Sequence, residues 1–71
     1  MDICSVVGTN IRKARNSKKL SQEELAFKVG MDRSYLSEIE NGHKNLSIVM
    51  LEQIATALDV KIASLFGDRR V

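Results

Sequence analysis

The sequence has no proline, no tryptophan, a single cysteine, and only one tyrosine and two phenylalanines among its 71 residues. Each shortage excludes something. With Cys4 alone, no intrachain disulfide can staple so small a domain, and a lone thiol is the usage of a reducing cytoplasm. Without proline and with few aromatics, the composition points to an all-α fold. No apolar run is long enough to span a bilayer, and the N-terminus lacks the basic and apolar regions of a secretion signal, so no membrane partner is expected. No paired carboxylates, Ser–His–Asp or Cys–His arrangement, or glycine-rich phosphate loop occurs, which argues against an enzyme. His43 has no metal ligand at a suitable spacing, so no metal is expected; nor is a cofactor or a small-molecule ligand. With no repeat, linker or low-complexity tract, residues 1–71 read as one domain, with an ordered core at about 11–66 and loose termini.

Net charge is also small, at +2, but the positive charge is unevenly placed. Arg12, Lys13, Arg15, Lys18 and Lys19 lie in the first helix and the loop after it, and most acidic residues follow later. A local basic cluster is the footprint of phosphate binding, and a solvated helix face is its plainer explanation.

The chain is organised around Ser21 to Gly42. Ser21 is a good N-cap and Glu24 completes a capping box; Leu25, Ala26 and Val29 form a narrow apolar stripe, and Gly30 stops the helix. Asp32 is placed to cap a second helix with Leu36 and Ile39 on its inner side, closed by Asn41-Gly42. Small Ala26 allows two helices to cross steeply, and these spacings are those of a helix-turn-helix. Before this unit, a helix is expected from about Val6 to Ser17, with Val7, Ile11, Ala14 and Lys18 in register and Gly8 weakening its first turn; residues 1–5 read as a frayed lead-in. After it, Ser47 caps a fourth helix with Ile48, Leu51, Ile54, Ala55 and Leu58 on one side, and Asp59 takes the helix-ending position, which Asp tolerates better than most side chains. A short fifth helix is expected at about Lys61 to Phe66, and residues 68–71 read as a disordered tail.

The stretch LAFKVGMDRSYLSEIENG, continued by IVMLEQIATALDV, resembles the helix-turn-helix of Cro/C1-type (XRE family) transcriptional regulators over roughly Ile11 to Phe66. Within that family, DRSYLSEIENGHKNLS is most similar to controller proteins of restriction–modification operons. The resemblance implies a compact five-helix, lambda-repressor-like domain with helices two and three as the helix-turn-helix. Its function would be sequence-specific binding of double-stranded DNA as a homodimer on a pseudo-palindromic operator. A phage-type repressor or an antitoxin would use the same fold. A protein-interaction module is the reading without DNA, and it has no need of Arg33 or the basic first helix.

On this reading the third helix enters the major groove, where Arg33, Ser34, Tyr35, Ser37 and Glu38 are the candidates for base contact. Arg33 can donate two bonds to guanine; Glu38 can accept from cytosine N4 but repels phosphates, and many phage repressors carry an amide at its position. Gln22, at a helix N-terminus, suits a phosphate. The resemblance implies backbone contacts from Gln22, Asn41 and Lys44, and it pairs Arg15 with Glu40, where Arg15 serves as a structural ion pair, a phosphate contact, or both. His43 is a loop residue near phosphate. Ile62, Leu65 and Phe66 form surplus apolar area at the C-terminus, expected either to make the dimer interface or to complete the monomer core.

Overall fold

The computed structural model describes residues 2–67; the expected tail at 68–71 and Met1 lie outside the described residues. Four α-helices, α1 (Ile3–Ser17), α2 (Gln22–Val29), α3 (Arg33–Glu40) and α4 (Ile48–Leu58), are followed by a 3₁₀ turn at Ile62–Phe66, and no strand occurs among the described residues. The expected fifth helix is therefore a 3₁₀ turn. It has no side-chain cap at Lys61; the Ser64 hydroxyl donates to the Lys61 carbonyl, and Asn10 Nδ2 of α1 donates to the Leu65 carbonyl at 3.0 Å. So short a segment, closed by i→i+3 bonds, stays in the tighter helical form.

Local chemistry explains most boundaries. Ser21 and Glu24 form the reciprocal capping box, with bonds of 2.8 and 3.0 Å, and the donated Ser21 backbone N–H holds the Glu24 carboxyl below its usual range. Gly30 ends α2 in the left-handed region, as Asp59 ends α4. Ser47 caps α4 by accepting from the Met50 N–H at 3.0 Å. Asp32 occupies the N-cap position of α3 but makes no side-chain capping bond, contrary to the sequence expectation. The lead-in is also corrected. Asp2 accepts from the Cys4 N–H at 3.2 Å, which starts α1 at Ile3 rather than Val6.

The core comprises Val7 and Ile11 of α1, Leu25 and Ala26 of α2, Leu36 and Ile39 of α3, Leu51, Ile54, Ala55 and Leu58 of α4, and Leu65 of the 3₁₀ turn. Lys18, expected in register with Val7 and Ile11, is the exposed C-cap of α1. Gly8 has a role its helix propensity conceals. A Cβ there would overlap the Ile39 carbonyl oxygen and lie 2.7 Å from that of Glu40, so α1 and α3 pack closely enough to admit only glycine. This contact sets how α3 is held.

Candidate nucleic-acid interface

α3 has two faces of opposite character. Leu36, Ile39 and Glu40 are buried, whereas Arg33, Ser34 and Glu38 are exposed, with Tyr35 and Ser37 half-buried at the margins. At 100° per residue, Ser34 and Glu38 fall on one line along the outer face, one turn apart. The outer face is thus a polar ridge one helix wide.

The inner face is held by Glu40, the one charged residue buried among those described. Arg15 Nε and Nη2 donate to its two carboxylate oxygens at 2.8 and 3.1 Å, a bidentate pair joining α1 to α3. Arg15 Nη1 donates to the Leu20 carbonyl at 2.9 Å, and Gln22 Nε2 donates to Glu40 Oε1 at 3.1 Å from the first turn of α2. Arg12 Nε adds a longer contact of 3.5 Å. Burial alone would raise the Glu40 carboxyl, but these donors and charges outweigh it and hold it below the ordinary carboxylate range. One carboxylate thereby fixes α3 against both helices that precede it.

This network redistributes the expected phosphate ligands. Arg15 is 11% exposed and uses all three guanidinium nitrogens inside the protein, so of its two expected roles the structural pair is the one the geometry displays. Arg12, with its side chain 46% exposed, is the guanidinium that reaches the surface, and it donates to Asn41 Oδ1 at 2.9 Å. With that oxygen engaged, the exposed Asn41 side chain has its N–H donors left to offer. Sequence reasoning placed Arg12 in the basic cluster without singling it out, because α1 carries several cations, and only the fold shows which of them meets Asn41. Gln22 keeps a second amide proton beyond the one given to Glu40.

After α3 the chain folds back on the helix. The His43 N–H donates to the Glu38 carbonyl at 2.9 Å, and Lys44 Nζ then lies 3.8 Å from Glu38 Oε1 and 5.7 Å from the centre of the Tyr35 ring. The His43 side chain is exposed. Arg33, Ser34, Tyr35, Ser37, Glu38, Asn41, His43 and Lys44 are therefore gathered at α3 and the loop after it, with Gln22 at the start of α2.

The expected dimer residues divide. Leu65 is 1% exposed, so it completes the core; Ile62 is half-buried, and Phe66 is exposed. Ile48, expected on the buried side of α4, is instead 78% exposed, because the first turn of α4 projects past the packed part of the stripe that begins at Leu51. Ile3, Ile48 and Phe66 join Val7, Leu46 and Leu51 around an open apolar groove of about 290 Å³, with exposed Val49 beside Ile48. Cys4 lines the same groove and donates from Sγ to Asn45 Oδ1 at 3.2 Å. Among the described residues no cluster of His, Cys, Asp and Glu could hold a metal ion, and no helix is long and apolar enough to cross a membrane.

Comparison with known proteins agrees with this geometry. A helix-turn-helix family profile (HTH_3) matches residues 11–65. Control protein C.MunI of a Mycoplasma species is 43% identical over 68 residues, which cover 94% of this chain and 92% of that one. The crystal structure of the restriction–modification controller protein C.AhdI from Aeromonas hydrophila superposes with a TM-score of 0.83 at 44% identity, covering 87% of this chain and 94% of that one. The controller protein C.Esp1396I, solved as a tetramer in complex with its natural 35 base-pair operator, superposes with a TM-score of 0.82 at 39% identity, covering 93% and 87%.

Proposed function

The chain belongs to the helix-turn-helix family, and we propose that it is a sequence-specific, DNA-binding transcriptional regulator acting as a homodimer, in the manner of restriction–modification controller proteins. The observation that carries this reading is the division of α3. Its inner face is locked to α1 and α2 by Glu40, and its outer face presents Arg33, Ser34 and Glu38 uncovered. A rigidly held helix with a free polar ridge fits the major groove, which is wide enough to admit one helix.

The chain folds as a single Cro/C1-type domain, its packed core running from Val7 to Leu65, and works where the DNA is, in the cytoplasm. Arg33, at the first turn of α3, donates a fork of two hydrogen bonds to guanine O6 and N7. Ser34, Tyr35, Ser37 and Glu38 complete the base-reading ridge. Gln22, Asn41 and His43 set the register on the phosphates, with Arg12 in the place expected of Arg15. Two copies associate through the apolar face of Ile3, Ile48, Val49 and Phe66, placing two α3 helices about one DNA turn (~34 Å) apart on an inverted repeat. Isologous pairing of this face covers these four side chains on both protomers.

Selection from a randomised duplex pool, with affinity followed against salt, tests the proposal. An enriched inverted repeat with half-sites about 10 bp apart, and affinity that falls steeply with salt, is the expected result. Arg33→Ala should cost roughly 1–3 kcal/mol and relax one guanine position. Ile48→Glu should yield monomers in sedimentation and lose the inverted repeat. A pool in which no sequence is enriched would overturn base reading by α3.

A further inference from the structure

The acidic residue on the reading ridge is not an isolated charge. Glu38 lies one turn beyond Ser34 on the outer face, and its carboxylate has a single cationic neighbour among the described ion pairs, Lys44, 3.8 Å from Oε1. Lys44 does not reach there by chance of a long side chain alone. The backbone bond from the His43 N–H to the Glu38 carbonyl turns the chain over the end of α3, and the Tyr35 ring lies under the ammonium at 5.7 Å, within cation–π range. Three side chains from two elements thus converge at one end of the ridge: Tyr35, Glu38 and Lys44.

Building on the proposed DNA-binding reading, we infer that Lys44 is a positioning residue for base selection. It neutralises and orients the Glu38 carboxylate so that Oε2 accepts from the exocyclic amino group of a cytosine in the major groove. A bare carboxylate entering a groove walled by phosphates meets like charge, and a mobile one adds no preference for a base. With Oε1 facing the ammonium at 3.8 Å, the net charge of the pair is zero and Oε2 is left to accept. That acceptor suits cytosine N4, which donates with no acceptor beside it, better than adenine N6, which donates beside the accepting N7, and it is rejected by guanine O6 and N7 and by thymine O4, which also accept. Lys44 in this role differs from a phosphate ligand. A phosphate ligand strengthens binding to every sequence alike, whereas a lysine that acts through Glu38 alters the preference at a single base pair.

The experiment selects half-sites from a randomised duplex pool with wild-type protein, Lys44→Met, Lys44→Arg, Glu38→Gln and the Glu38→Gln/Lys44→Met double variant. Circular dichroism confirms that each is folded; both side chains are 40–50% exposed, so folding should persist. Wild type should prefer cytosine over thymine at one half-site position by about tenfold. Lys44→Met should erase that preference and leave the guanine position read by Arg33 intact, and Lys44→Arg should restore it. In the Glu38→Gln background, Lys44→Met should produce no further change in base preference. Uniform weakening of all sequences by Lys44→Met, with every base preference kept and the salt slope reduced by about one, would overturn the inference and leave Lys44 as a phosphate ligand. Failure of wild type to enrich any site is a separate outcome, and it would overturn the DNA-binding reading itself.

Discussion

Glu38 and Glu40 stand two residues apart on α3, yet one carboxylate is completely buried and the other leaves half its side chain in solvent. Two positions on a helix are a rotation of about 200°, enough to carry a side chain from the core-facing side to the open one. Glu40 meets Arg15, Gln22 and Arg12, and has no unsatisfied oxygen; Glu38 meets Lys44 at a looser distance. The difference teaches what each charge is for. A buried pair cannot lose one member without stranding the other, so Glu40 holds the helix in place, whereas an exposed pair contributes little to folding and is free to serve recognition.

The sharpest way to break this contrast is to remove Glu40. Glu40→Ala strands Arg15 in a nearly buried site and should cost about 3–5 kcal/mol in a urea melt. A domain of this size has about 4–10 kcal/mol of total stability, so the variant should be at the edge of unfolding. A loss under 1 kcal/mol would mean that the network is not what anchors α3.

Gly8→Ala attacks the same anchorage from the opposite helix. At an exposed helical glycine, alanine stabilises by up to about 1 kcal/mol. Here the new methyl would overlap backbone carbonyls at the end of α3, which cannot rotate away, so the expected effect has the opposite sign, a loss of about 1–3 kcal/mol. The sign of the change in melting midpoint decides the matter.

Acid should dissolve the difference between the two glutamates. The Glu40 carboxyl titrates below its unfolded value, taken as about 4.3. Its stabilisation is therefore complete above that value and disappears as the pH falls through the lower folded pKa. The exposed Glu24 capping carboxylate acts in the same direction. Urea midpoints measured between pH 7 and pH 3 should fall on acidification, and Glu40→Gln should flatten that fall.

The smallest expected effect sharpens the comparison from the other side. Glu38→Gln should leave stability within about 0.5 kcal/mol of wild type at neutral pH. A larger loss would make Glu38 a structural residue like its neighbour.

Much of this architecture was legible from residue order. Ser21 with Glu24, Ser47 before Ile48, and Gly30 and Asp59 as stops all act within a turn or two of themselves, so their outcome depends on few neighbours. The start of α1 was misplaced because Asp2 caps without an apolar stripe to announce it. The Arg15–Glu40 pair came from family resemblance, since 25 residues separate its members and no local pattern links them. The expectation failed most clearly for apolar side chains near the ends of elements. Ile48 turned outward, whereas Leu65 took the core place that was one of its two expected roles; periodicity states which face a residue shares but not where the neighbouring helix stops.

The sequence by itself determined that the chain forms short helices, where most of them begin and end, and that the third carries a polar ridge. These follow from capping chemistry and hydrophobic period, which are properties of near neighbours. Tertiary structure alone decided that Gly8 must lack a side chain, that Arg12 rather than Arg15 meets the surface, and that Lys44 folds back onto Glu38. Each of those depends on how closely two elements separated along the chain approach, and that distance is set only once the core has packed.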